Sequence, residues 1–210
     1  MIRIKVCGMR DPGNIREVAA KKPDIMGFIF FPGSKRFVGF DPDPQIFLSV
    51  PDDIKRAGVF VNEEVDFILK SVTDYNLHVV QLHGSESPDL CTSVRNAGYT
   101  VVKAFGMGGD FDFKKLSAYS HSCDYFLFDT YTRDHGGSGK QFDWSMLNRY
   151  NLKVPFLLSG GICDDDVLRI RELVHPMFYG VDINSRFELS PGLKDAGKIG
   201  QFINALHEKV

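Results

Sequence analysis

Two residues in this chain are placed where a proton could be given and taken. Asp129 closes the apolar run Tyr125-Phe126-Leu127-Phe128-Asp129-Thr130, and a glycine-rich stretch, Gly136-Gly137-Ser138-Gly139-Lys140, follows. An apolar run that ends in a carboxylate is how a parallel strand delivers an acid to the mouth of a site. The plain structural reading of Asp129 is a turn cap, with the glycines supplying only flexibility. Cys7 ends the run at residues 2–7 and is followed by Gly8. A thiol titrates near pH 8.5 and accepts a proton where cations favour the thiolate; Lys5, two residues back on the same strand face, is a candidate supplier. Its plain reading is core filler. As an acid at neutral pH, Asp129 requires desolvation in a closed site.

Other positions suit binding. Leu157-Leu158-Ser159-Gly160-Gly161-Ile162, ahead of a helix, offers backbone N–H groups to an anion, and Asn184 and Ser185 add small polar groups one strand later. Gly160, Gly161, Asn184 and Ser185 are the expected phosphate site. Arg36, on the Pro32-Gly33-Ser34 loop, could grip a carboxylate bidentately or stand as a solvated surface arginine. His83 either hydrogen-bonds a substrate or satisfies the core.

These residues need a scaffold that gathers strand ends. Apolar, β-rich runs lie at 2–7, 25–31, 56–61, 79–82, 99–105, 125–129, 154–159 and 177–182, with successive ends 21 to 30 residues apart, the length of one strand-plus-helix unit. Helical patterns fall between them: 62–75 behind an Asn62 cap, 87–97 with Ser87 as cap, Pro88 at the first turn and Gly98 as terminator, 164–174, and 194–209. The segment after Phe31 is the least regular. Eight such units predict an α/β fold, a single (β/α)8 TIM barrel over residues 1–210, with chemistry at the C-terminal strand ends. Strands one and six then face each other across the ring.

An open doubly wound sheet is the alternative. Cys7-Gly8-Met9-Arg10-Asp11-Pro12-Gly13 is not the dinucleotide turn such a sheet normally carries, and Gln141 after Lys140 breaks a phosphate-binding loop motif. A net charge of −2 with no basic block argues against nucleic acid as a partner. Met1-Ile2-Arg3-Ile4-Lys5 lacks the pattern of a signal peptide, and no apolar run reaches the roughly 18 residues of a membrane span. The dispersed cysteines carry no metal spacing. Cys91 and Cys123 read as buried small residues, Cys163 has no evident role, and the expectation is a cytoplasmic protein with reduced thiols and no metal.

Taken together, Lys5-Val6-Cys7-Gly8, Gly27-Phe28-Ile29-Phe30-Phe31-Pro32 with Ser34-Lys35-Arg36, Gly58-Val59-Phe60-Val61-Asn62, Val80-Gln81-Leu82-His83-Gly84, Asp129-Thr130 with Gly136-Gly137-Ser138-Gly139-Lys140 and Phe142-Asp143-Trp144, and Leu158-Ser159-Gly160-Gly161 resemble the phosphoribosylanthranilate isomerase family. The resemblance runs from the first strand to the last helix. It implies a cofactor-free barrel enzyme of tryptophan biosynthesis that performs an Amadori rearrangement on a small phosphorylated ribosyl anthranilate, as a monomer or homodimer. It further implies Cys7 as general base, Asp129 as general acid, Arg36 on the anthranilate carboxylate and His83 beside the ring. The phosphate would fall to Gly160, Gly161, Asn184 and Ser185. Two stretches depart from the family: Arg186-Phe187 follows Asn184-Ser185, where small residues and a glycine are usual, and Cys163-Asp164-Asp165-Asp166 replaces a common Pro and Asn. Competing readings are a sugar-phosphate epimerase, an indole-forming synthase, for which Lys5 and Lys103 are present but no strand-end Glu, and a barrel that binds a metabolite without turning it over.

Overall fold

A computed structural model describes residues 1–109, 111–131 and 141–208. Eight parallel strands close a barrel in the order β1 to β8: Arg3–Cys7, Ile25–Ile29, Lys55–Phe60, Val79–Leu82, Thr100–Met107, Tyr125–Thr130, Phe156–Leu158 and Phe178–Ile183. β8 returns to β1, with Lys5 opposite Asp182, so the ring has no open edge.

The two-residue repeat of a strand sorts the side chains. In β6, Phe126 and Phe128 join the large apolar layer between barrel and helices, while Leu127 packs inside the barrel with Ala57, Val79, Val102, Ala104 and Leu157. Asp129 shares the face of Leu127, one layer nearer the mouth. The same alternation turns Ile4 and Val6 outward and leaves Lys5 and Cys7 inside. Inward polar residues are thus stacked above an apolar plug, which keeps solvent from crossing the barrel.

The connections differ from expectation in several places. The helix expected at 62–75 runs over Val65–Asp74 (α3), and its cap is Glu64. Asn62 instead takes a positive φ of 53°, donates its N–H to Glu86 Oε1 at 2.8 Å and accepts from Ser85 N at 2.6 Å. It fastens the end of β3 to the loop after β4. The expectation for α4, Pro88–Asn96, is met: Ser87 Oγ accepts from Leu90 N, and Gly98 ends the segment at φ 95°. After β5 and β6 the connectors are 3₁₀ turns, Phe113–Tyr119 and Trp144–Arg149, rather than α-helices. Ser117 and Ser120 donate to carbonyls three residues back, which matches the tighter 3₁₀ winding.

After β7 a 3₁₀ turn, Asp164–Asp166, leads into a short helix α5, Val167–Arg171, which ends ahead of Pro176 instead of reaching 174. The last helix, α6, spans Ala196–His207 and is capped by Asp195. Lys194, expected in that helix, lies instead in a two-stranded ribbon, β9 (Glu188–Ser190) with β10 (Leu193–Lys194). α1 (Pro12–Ala19) and the four-residue α2 (Gln45–Leu48) complete the outer layer, the latter standing where the pattern was least regular.

Candidate active site

At the C-terminal ends of the strands lies a cavity of about 360 Å³, lined among others by Cys7, Arg36, Gln81, His83, Asp129, Thr130, Gly160, Gly161, Asp182, Asn184 and Ser185. All eight residues expected from sequence to act or to bind therefore meet at one cavity. The glycine-rich stretch at residues 136–140, which follows Asp129 in sequence, lies outside the described residues.

Asp129 is held from two sides. Its Oδ1 accepts from the N–H of Thr130 at 2.8 Å, and Oδ2 lies 3.3 Å from His83 Nε2. His83 is oriented in turn by Gln81, whose side-chain amide Nε2 is 2.8 Å from Nδ1. With that amide donating, Nδ1 is the acceptor and the ring hydrogen sits on Nε2, pointing at the carboxylate. His83 thus contacts Asp129 itself. Gly160 makes room for it: φ is 88°, and a methyl group there would lie 2.3 Å from Thr130 Oγ1 and 2.9 Å from Asp129 Oδ1.

Cys7 is buried beside a buried ion pair, Lys5 Nζ to Asp182 Oδ1 at 2.9 Å. Lys5 was expected to favour the thiolate, and it does pull in that direction. Burial outweighs it, with Asp182 opposing it as well, so the Cys7 pKa is raised. The ammonium that could have activated the thiol is largely spent on Asp182. Lys5 itself, though desolvated, is held charged by Asp182 and Cys7.

Arg36 is not a solvated surface residue. Its Nε donates to Glu188 Oε1 at 2.8 Å and its Nη2 to Oε2 at 2.6 Å, a bidentate pair in which the arginine side chain is 12% exposed and the glutamate 4%. Lys194 Nζ reaches the same carboxylate at 2.7 Å and Asn184 Oδ1 at 2.6 Å. Gly8, at φ 79°, admits Arg36 beside β1, since a methyl there would lie 2.6 Å from its Cδ.

Gln81, Asp182, Glu188 and Lys194 were not selected from sequence. Gln81 and Asp182 could have been found by extending the inward face of their strands from Val79 and Gly180. Glu188 and Lys194 carried no such signal. Lys103 was noted as a strand-end lysine of synthase type, but it has the outward parity of β5 and pairs with buried Glu86 at 3.2 Å, away from the cavity. Among the described residues no group of three or more His, Cys, Asp or Glu side chains could hold a metal ion, and no helix is long and apolar enough to cross a membrane.

The family model for N-(5′-phosphoribosyl)anthranilate (PRA) isomerase matches residues 4–205. The chain belongs to the phosphoribosylanthranilate isomerase family. A family relative from Parabacteroides distasonis, named N-(5′-phosphoribosyl)anthranilate isomerase, is 48% identical over 204 residues, covering 97% of this chain and 92% of its own. The solved phosphoribosylanthranilate isomerase of Thermotoga maritima superposes with a TM-score of 0.84 at 34% identity, covering 98% of each chain. Another isomerase structure, in complex with reduced 1-(o-carboxyphenylamino)-1-deoxyribulose 5-phosphate, gives 0.83 at 31% identity and 98% coverage of each chain. A 3-hexulose-6-phosphate synthase, at 0.70 and 11% identity, shares the fold alone.

Proposed function

We propose that this chain, as one catalytic domain over residues 1–210, converts N-(5-phosphoribosyl)anthranilate to 1-(2-carboxyphenylamino)-1-deoxyribulose 5-phosphate in tryptophan biosynthesis, in the cytoplasm. The observation that carries the reading is a thiol from β1 and a carboxylate from β6 opening into one cavity, in a chain of this family. The reaction needs one acid and one base acting on one sugar, and opposite sides of a barrel provide them without contact between the two.

Asp129 gives its proton to the furanose oxygen as the C1′–O bond breaks and the anthranilate nitrogen lone pair forms the protonated Schiff base. His83 Nε2–H and Thr130 N–H steady the carboxylate left behind. The thiolate of Cys7 removes the C2′ proton, and the C–H electron pair moves to form the C1′–C2′ double bond of the enolamine. Tautomerisation puts a proton on C1′ and a carbonyl at C2′. The O2′ proton and the one on Cys7 replace those taken up by C1′ and Asp129, so the enzyme ends as it began. Arg36 holds the anthranilate carboxylate; Gly160, Gly161, Asn184 and Ser185 hold the phosphate. No step calls on a cofactor, and the working unit is a monomer or a homodimer.

Assay of the purified protein with freshly generated phosphoribosylanthranilate tests the reading. The wild type should turn it over, and Asp129→Asn should lower kcat by about 10² to 10⁴ with KM little changed, as loss of an acid predicts. An inactive wild type, or an Asp129→Asn enzyme with ordinary kcat, would sink it.

A further inference from the structure

The arginine expected to take the substrate carboxylate already holds a carboxylate of its own, and the geometry says how both can be bound. A guanidinium offers two carboxylate-matching edges, Nε with one Nη, and the two Nη together. Glu188 occupies the first, with both of its oxygens engaged. This leaves the Nη1/Nη2 edge of a side chain that lines the cavity.

Glu188 is itself fixed by Lys194 Nζ at 2.7 Å and by the N–H of Gly192 at 3.0 Å, so it has little freedom to follow a moving arginine. Lys194 is tied on its other side to Asn184 at 2.6 Å. While the Cys7 thiol beside them is neutral, two cations around one carboxylate leave one positive charge in excess, in a place nearly closed to water, where Lys194 and Glu188 have side-chain exposures of 0% and 4%. Burial and the Arg36 charge pull the Lys194 pKa down to about 8, while the two cations hold Glu188 below the usual carboxylate range. An excess charge in a dry pocket is balanced by an incoming monoanion, and the aromatic carboxylate of the proposed substrate is one.

We infer that Glu188, braced by Lys194 and the β9–β10 ribbon, is a positioning residue that pre-orients Arg36 so that its free edge receives the substrate's carboxylate. The inference rests on the carboxylate role proposed above for Arg36. It gives a purpose to the ribbon after β8, a segment beginning where the sequence departs from the family pattern, and makes Glu188 a determinant of specificity for carboxylated over plain anilines.

The test compares affinities for reduced 1-(o-carboxyphenylamino)-1-deoxyribulose 5-phosphate and for the same compound lacking the carboxyl group. Wild type, Arg36→Ala, Glu188→Gln and the charge-compensated pair Glu188→Gln/Lys194→Met are measured by calorimetry. Loss of a pre-oriented charge-assisted contact should weaken the carboxylated ligand by about tenfold or more in Glu188→Gln and leave the other ligand unchanged; in the pair, where Asn184 also loses its Lys194 contact, the carboxylated ligand should lose about tenfold more than the other. Turnover by Glu188→Gln should show the loss in KM with kcat held. If Glu188→Gln does not fold, the pair, which keeps the net charge of the pocket, decides by the ratio of the two affinities.

Equal loss for both ligands would make Glu188 a scaffold residue. An affinity equal to or tighter than wild type would make it a competitor of the substrate. Either overturns the inference while Arg36→Ala still discriminates between the ligands. If Arg36→Ala does not discriminate, the carboxylate reading fails and the inference falls with it.

Discussion

As the proposed base, Cys7 must lose a proton before it can accept one, and its surroundings make that harder. Desolvation favours the neutral thiol, and the nearest ammonium is committed to Asp182. The sign is fixed by the chemistry: a base works only deprotonated, so activity governed by Cys7 rises with pH through a raised thiol pKa. The expected kcat/KM profile therefore climbs on its alkaline side above the ordinary cysteine range near 8.5. Thiolate absorbance titrated in wild type against Cys7→Ser locates the same transition. A limb lying at or below pH 8 would mean that Lys5 serves Cys7 rather than Asp182. At this scale the sequence was informative about placement, since Cys7 and Asp129, read as strand ends, both line the cavity. It was silent about Glu188, because Arg36 and Glu188 meet only across 152 residues of chain.

Among the elements, the loops that carry site residues are tied to one another by buried polar groups rather than by helix packing alone. Lys103 leaves the outer face of β5 and donates to the carbonyls of Leu82 and Gly84 at 3.2 and 2.8 Å, while Glu86 takes the N–H groups of Asn62 and Gly84. The pair thereby fixes the exits of β3 and β4, the latter carrying His83. Lys103→Met should destabilise the fold by about 3 to 5 kcal/mol, since it leaves Glu86 buried without its cation. Urea unfolding checks it; a change under about 1 kcal/mol would show that the backbone donors alone satisfy Glu86. Strands were legible because burial on both faces makes them near-continuous apolar runs. Helix boundaries were less so. Asn62 has cap chemistry but spends it on Ser85, and Lys194 has helix-forming character but is claimed by a buried carboxylate.

For the whole molecule, closing the barrel is what converts two distant strand ends into one site. β1 and β6 share no hydrogen bonds and stand three places apart by way of β7 and β8. Eight units of similar length predicted that ring, with the missing dinucleotide turn arguing against an open sheet. Spacing could not predict which loop would reach Arg36, and the β9–β10 ribbon does so through Glu188. In the proposed reaction the thiol of β1 takes a proton from the sugar opened by the acid of β6. Single-turnover conversion of phosphoribosylanthranilate by Cys7→Ser, with binding of the reduced product analogue measured on the same preparation, tests it most directly. The expected rate is lower by about 10² or more with affinity unchanged; a variant that binds equally well and turns over near the wild-type rate would remove Cys7 from the proton transfer.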